Sequence, residues 1–312
     1  MTLLYTDPLF LKHETGQHPE CADRLRSISK MLDKTGLDKK CTAGTYKPVD
    51  EEVVTTLHSA RQLETVKQLV AKGGGRIDPD TVVSPHSLQA ALAATGACVA
   101  AVDAVLDDKA KNALCLVRPP GHHATPTRSM GFCLFNQVAL AARHARVNRK
   151  LDHVLIVDFD VHHGNGTQDI FYEDPTVMFH SIHRYGGGFY PGTGAADETG
   201  RGKGLGYTLN TAVKFGTPRK DFLARFETDL EKAADKLKPE LVLLSAGFDA
   251  HGKDPIGSLG LQTEDFGELT KLVMQVADTH AKGRLVSCLE GGYNLDALAE
   301  SVQAHLEELL KK

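Results

Sequence analysis

The stretch HVLIVDFDVHHGNG (residues 153–166) decides how this chain is read. Its first half, HVLIVDF (153–159), is a nearly unbroken aliphatic run, which suits a strand covered on both faces. Its second half sets aspartates, histidines and glycines where the strand should stop. In open parallel sheets, ligands sit in the crevice beyond the carboxyl ends of the strands. The same change from core to chemistry recurs outward from this stretch. ALCLV (113–117) runs into Arg118, His122 and His123, and TVMFHSI (176–182) carries Ser181 and is followed by His183. LVLLSA (241–246) delivers Asp249, and RLVSCLE (284–290) delivers Glu290, Gly291, Gly292 and Tyr293. Helix-period segments at 85–107, 219–237, 263–281 and 294–310 separate these runs, with Pro218 expected to open the second of them. The alternation predicts a single α/β domain over residues 1–312, with a mostly parallel sheet, helices on both faces and right-handed crossovers. The part before residue 112 is more helical and less regular.

Composition narrows the class. Of 312 residues, 41% are hydrophobic and 24% charged, enough apolar area to oppose chain entropy and exclude disorder as the main state. A net charge of -4 argues against a nucleic-acid partner. The start MTLLYTDPLF lacks a basic region followed by an apolar core, and no apolar run is read as approaching the roughly 18 residues of a spanning helix. Cys21, Cys41, Cys98, Cys115, Cys133 and Cys288 form no CxxC pair, so reduced thiols and a cytoplasmic setting are expected. Oligomeric state has no signature in the sequence. The fifteen histidines are the unusual count, and four of them, His122, His123, His162 and His163, fall in two motifs at strand ends.

Asp160 and His162, two residues apart just past a strand, leave it on the same side and reach a common point. Asp249, from another strand end, would complete a three-ligand site of the kind that holds a catalytic zinc with a fourth position open. Any one of these residues is more simply a strand-end cap or ion pair; all of them together favour a metal. His122 and His123 follow the stiff turn Pro119-Pro120-Gly121, which suits a neutral imidazole acting as general base. Adjacent imidazoles suppress each other's protonation, so each needs a partner, and Asp158 and Asn165 are the candidates. Tyr293, after Gly291-Gly292, is placed to donate to a developing oxyanion.

Taken together, RPPGHHA (118–124), GFCLFN (131–136), DFDVHHGNGTQ (158–168), FYPGTG (189–194), SAGFDAH (245–251) and LEGGYN (289–294), with HPECADR (18–24), resemble the zinc-dependent histone deacetylases of the arginase–deacetylase superfamily. Asn165 makes the likeness closest to the class II branch and its bacterial amidohydrolase relatives. The resemblance implies the arginase–deacetylase fold, with about eight strands, and one zinc ion on Asp160, His162 and Asp249. It implies His123 as general base and then acid, His122 with Asp158 as an electrostatic partner, and Tyr293 polarising the amide carbonyl. Gly131, Phe132 and Tyr190 would line the channel for the acetyl-lysine stem, with Gly292 beside it and Asp80, in DPDTVVSP, at the rim. Arg24 matches an arginine of an internal acetate channel. The family also implies K+ or Na+ at Asp158, Asp160, His162, Ser181 and Ile182, and at a second set, Phe171, Asp174, Val177 and Tyr207.

The substrate expected is an acetylated lysine in a peptide or protein, with an acetylpolyamine or other small acylamine as the alternative. Ile256 falls where polyamine-selective relatives carry a glutamate, which lowers the case for a polyamine. Gln137, where many members have a second asparagine, is expected to matter little. A binuclear manganese ureohydrolase would need more acids than Asp249-Ala250-His251 supplies. A non-catalytic acyl-lysine binder is a weaker rival because the ligands, both histidines and Tyr293 are all present, and a nucleophile at Cys133 is weaker because the family motif puts that cysteine in the channel wall.

Overall fold

The computed structural model describes residues 1–311. In chain order its elements are β1 (Thr2–Tyr5), α1 (Asp23–Thr35), β2 (Thr42–Ala43), α2 (Glu51–Val54), α3 (Ala60–Ala71), β3 (Gly75–Asp78), β4 (Thr81–Val83), α4 (Ser87–Leu106) and β5 (Asn112–Cys115). There follow α5 (Gln137–Val147), β6 (Val154–Asp158), α6 (Asn165–Phe171), β7 (Val177–Arg184), β8 (Thr208–Val213), α7 (Arg219–Leu237), β9 (Leu241–Ala246), α8 (Thr263–His280), β10 (Leu285–Leu289) and α9 (Leu295–Leu309). Eight strands form one parallel sheet in the order β2-β1-β5-β10-β9-β6-β7-β8, and β3 pairs β4 in a separate antiparallel hairpin.

The predicted strands and helices are present within two residues at each end. The strands read ahead of the structure are those with no exposed partner on either face; β6, β9 and β10 are buried throughout. Those missed are β1, the two-residue β2, β8 and the β3–β4 hairpin, which are short or lie toward the sheet edges. β8 alternates with the half-exposed residues Leu209 and Ala212, so it lacks the continuous apolar run that marks a central strand. Pro218 stands at the N-cap of α7, one residue outside the helix.

One expectation needs correction. The 20-residue helix α4, SLQAALAATGACVAAVDAVL, is long and apolar enough by length and composition to cross a membrane. Its small side chains instead let it lie close against the sheet and α5, with most of its residues buried. Gly96 lets the segment between β2 and α2 approach on another side: a Cβ there would meet the Lys47 carbonyl oxygen at 2.1 Å. Sequence hydropathy cannot separate a spanning helix from a core helix of this length, because both must be apolar around most of the circumference.

Chain order inside the sheet positions the site. After β5 the chain crosses to β6, runs outward through β7 and β8, and only then returns to lay β9 and β10 between β6 and β5. The carboxyl ends of β5, β6, β9 and β10 therefore meet, although they come from residues 115, 158, 246 and 289.

Several histidines serve the core instead. His305 on α9 is fully buried, bonded to Thr270 Oγ1 at 2.6 Å and Ser287 Oγ at 2.9 Å, and burial pushes it down to about 3. Burial likewise lowers His58 and His180 to about 4. Below pH 6.5 the unfolded chain takes up protons that these rings refuse, so stability should fall as pH drops from about 6.5 toward 4, by about 1.4 kcal/mol per pH unit per ring. Urea unfolding between pH 7.5 and 5 should show this slope, and His305→Asn should reduce it by about one ring's share.

Candidate active site

β6 ends at Asp158, and the chain then leaves the sheet through Phe159 to His163 before α6 begins. Asp158 Oδ1 accepts from Asp160 N (3.1 Å), and Asp160 Oδ1 accepts from His162 N (2.9 Å), so each acid turns the backbone that carries the next polar residue. Asp249, past β9, reaches across to accept from Val161 N at 2.9 Å. His162 Nδ1 lies 3.0 Å from Asp160 Oδ1 and 3.1 Å from Asp249 Oδ2. One ligand atom from each of the three residues lies within 4.8 Å of the others, and all three residues are buried.

That arrangement calls for a cation. Burial, then the charge of Asp160, holds Asp249 up at about 7, a sign of two carboxylates sharing one buried place. Burial disfavours a charged His162, yet the bonds to Asp160 and Asp249 override it and raise the ring to about 9. A proton on Nδ1 and a divalent cation answer the same need, and two carboxylates with one imidazole suit zinc in donor type and charge. Gly291 leaves room for the group: a Cβ there would meet Asp249 Oδ2 at 2.3 Å and Asp160 Oδ2 at 2.5 Å, while its N–H donates to Asp160 Oδ2 at 2.9 Å.

The tandem histidines are held in opposite charge states. His122 Nδ1 bonds Asp158 Oδ2 at 2.9 Å. Burial opposes its charge, but Asp158, Asp160 and Glu290 together raise it well above the usual imidazole range. Burial and the neighbouring His122 and His162 push His123 well below that range. Asn165 Nδ2 faces the Met130 sulfur at 3.7 Å, so its Oδ1 accepts from His123 Nδ1 at 2.7 Å. That places the ring proton on Nδ1 and leaves Nε2 with a free lone pair. One imidazolium and one neutral imidazole, 4.0 Å apart between ring centres, differ because one partner is Asp and the other Asn.

Aromatic rings form the walls. Phe132 packs edge-on against Tyr293 (5.6 Å) and His18 (4.6 Å), and Tyr190 packs edge-on against His123 (5.1 Å). The buried Tyr190 hydroxyl has no hydrogen-bond partner. Gly131 has a φ of 57°, and a Cβ on it would meet His123 Cδ2 at 2.4 Å, so glycine is required twice over. Asp80, on the turn between β3 and β4, accepts from Gly131 N at 3.2 Å and from Thr81 Oγ1 at 2.8 Å. Ile256 is half-buried on the loop before α8.

Four contributors were not read from the sequence in these roles. Phe189 stacks flat on His162 (5.0 Å, 7°), beside the expected Tyr190. Glu290, named only as a strand-end acid, accepts from Gly121 N (2.7 Å), His122 N (3.2 Å) and Ser245 Oγ (3.0 Å), fastening the histidine turn to β10. Glu20 sits between Arg24 and Arg118, all three fully buried. Arg24 in turn donates to Gly292 O at 2.6 Å and Glu290 O at 2.5 Å, and its guanidinium lies 5.1 Å from the Tyr293 ring centre. Asp254 accepts from Tyr293 N (2.7 Å) and Asn294 N (3.3 Å) with one oxygen, and from Ile256 N (2.9 Å) and Gly257 N (3.0 Å) with the other. Its sequence signal, Asp before Pro with Gly three residues on, reads only as a turn.

Asn at 254 could satisfy just one of those two pairs of donors. Asp254→Asn is therefore expected to lower turnover by loosening Tyr293, about 10-fold. In a Tyr293→Phe background the same change should have little further effect, and equal losses in both backgrounds would remove the coupling.

The residues expected around monovalent cations fall into two places. Ser181 is the register partner of Asp158 in the sheet, bonds His183 Nδ1 at 2.9 Å, and is followed by the buried Ile182. Phe171, Asp174 and Val177 lie along the turn from α6 into β7, where Asp174 Oδ1 accepts from Thr176, and Tyr207 reaches β7 through its carbonyl to Phe179 N (3.0 Å).

A parallel α/β sheet with this buried donor set at its carboxyl edge has the makings of a metal-dependent enzyme's site. The histone deacetylase domain model matches residues 18–309, and the chain belongs to the histone deacetylase family, in which zinc dependence is general. It is 37% identical to the chloroplastic histone deacetylase 14 of Arabidopsis thaliana, over 99% of this chain and 76% of that protein. It is 35% identical to the histone deacetylase-like amidohydrolase of Pseudomonas aeruginosa, over 94% and 77%. Human histone deacetylase 9 is 38% identical over 97% of the chain, but the chain spans only 33% of that protein's length. The crystal structure of the HDA15 HD domain superposes with a TM-score of 0.95 at 35% identity, covering 100% of this chain and 88% of that one.

Proposed function

We propose that the chain removes acetyl groups from lysine side chains of peptides or proteins, in a reducing compartment such as the cytoplasm. The observation that carries this reading is the neutral His123, its Nδ1 tied to Asn165, beside the focus of Asp160, His162 and Asp249. Those three residues would hold zinc, which when bound supplies Lewis acidity toward the amide carbonyl and the attacking water. His123 Nε2 takes a proton from that water and returns it to the leaving amine nitrogen, so the amide and water become acetate and a free amine. His122, kept cationic by Asp158, stabilises the negative charge that develops while the carbon is tetrahedral. Tyr293 donates its phenol proton in a hydrogen bond to the carbonyl oxygen, and Phe132 and Tyr190 exclude water from the substrate's apolar stem. Asp80, half-buried on the β3–β4 turn, would accept from substrate backbone amides, and Asp174 would contribute oxygen donors to a bound K+ or Na+. All six cysteines are free thiols, in keeping with the reducing compartment.

A small acylamine such as an acetylpolyamine is the second reading, since a narrow aromatic channel would take either stem. Ile256 offers no negative charge to a distal ammonium, and this weighs toward peptides. Hydrolysis rates for a panel of acetyl-lysine peptides and acetylpolyamines on the zinc-loaded protein test the choice. Higher kcat/KM for the polyamines would reverse it, and no turnover of either would remove the deacetylase reading.

A further inference from the structure

A second trio of ligands shares no residue with the first. Cys115 on β5 and Cys288 on β10 are register partners on neighbouring strands, so their side chains leave the sheet on the same face. Cys98 meets them from α4, with its Sγ 3.2 Å from Cys288 Sγ. One sulfur from each of the three residues lies within 4.8 Å of the others, and all three are buried in the main apolar cluster. On the opposite face of β10, Ser287 bonds His305 of α9, which confirms the alternation.

The surroundings select the kind of ligand. Hydrogen bonding with Cys115, then burial, raises Cys98 well above the ordinary thiol range, and burial raises Cys115. For Cys288 the lowering by its bond to Cys115 is outweighed by the bond to Cys98 and by burial. The trio is therefore three neutral thiols. A divalent ion on three thiolates would bury a net negative charge, and zinc would also want a fourth donor. A trivalent centre bound by three thiolates is neutral, so it avoids that cost.

We infer that Cys98, Cys115 and Cys288 form an internal binding site for a trivalent thiophilic metalloid, of which arsenous acid is the type. The reaction is a condensation without change of oxidation state: As(OH)3 and three thiols give one As(SR)3 unit and three waters. Three As–O bonds break, three As–S bonds form, and each thiol proton leaves with a hydroxide. Arsenous acid is uncharged at neutral pH, so it crosses apolar surface without shedding an ionic hydration shell. It enters during local opening of α4 from the sheet.

The test uses the full chain in a phosphine reductant, incubated with arsenite and then desalted. Intact-mass measurement should show one arsenic gained and three hydrogens lost per chain. The adduct should disappear in Cys98→Ala, Cys115→Ala and Cys288→Ala and persist in a Cys21→Ser/Cys41→Ser double variant. Hydrolysis of an acetylated peptide by each untreated variant reports that it is folded. X-ray absorption on the arsenic of the wild-type protein, which needs no variant, should find three sulfur neighbours. An unmodified wild-type chain, an arsenic with oxygen among its neighbours, or an adduct surviving in all three alanine variants would each overturn the proposal.

Discussion

Tyr293→Phe should lower kcat for an acetyl-lysine peptide by about 10²–10³, the usual cost of one oxyanion donor, and leave the fold intact. The substitution removes one hydroxyl and keeps the ring, which retains its edge contact with Phe132 and its place under Arg24. The backbone is fixed separately, by Asp254 at the Tyr293 N–H and by Arg24 at the Gly292 carbonyl. Burial and the charges of Asp249 and Asp160 keep the phenol well above its ordinary range, so it stays a hydrogen-bond donor across neutral pH. The loss should fall on kcat with KM little changed, because the bond is strongest when charge has moved onto the oxygen. Steady-state kinetics with circular dichroism checks both halves. Turnover near that of wild type would take Tyr293 out of the chemistry.

Asp249→Asn should abolish zinc binding and with it nearly all activity, a loss larger than the 10- to 100-fold typical of an outer partner. It should also make the metal-free protein more stable at neutral and higher pH. The direction follows from Asp249 being held up at about 7. A carboxyl with a raised folded value contributes stability below its unfolded value near 4, and loses it as pH rises through about 7. An asparagine has no proton to lose, so it escapes that penalty while keeping an oxygen for the Val161 N–H. Metal content by elemental analysis and urea unfolding of the apoprotein at pH 8 measure the two effects. Zinc bound at the wild-type stoichiometry by the variant would remove the metal reading of this trio.

How far the site could be read ahead depended on spacing. Asp160 and His162 declare themselves because a two-residue step past a strand is a local rule. Asp158 and Asn165, the partners expected for the paired histidines, lie 2.9 and 2.7 Å from His122 Nδ1 and His123 Nδ1. Glu290, Asp254 and Phe189 escaped because their work is to accept or cover groups far away in sequence. A carboxylate that accepts backbone N–H groups at Gly121 and His122 leaves no pattern at position 290. Helix α4 misled in the other direction: its composition is that of a buried surface, and composition does not say whether protein or lipid does the burying.

By itself the sequence determined the five apolar strands β5, β6, β7, β9 and β10, the helices α4, α7, α8 and α9, and the chemistry those strand ends carry. These depend on near neighbours, whose spacing sets which side chains share a face. Only the tertiary structure decided that β9 and β10 return to the middle of the sheet. That return brings Asp249 to Asp160 and His162, Glu290 to the histidine turn, and Cys288 to Cys98 and Cys115. Strand order is settled by pairings distant in the chain, such as Val154 with Leu241 and Asn112 with Leu285, and such contacts have no period along it.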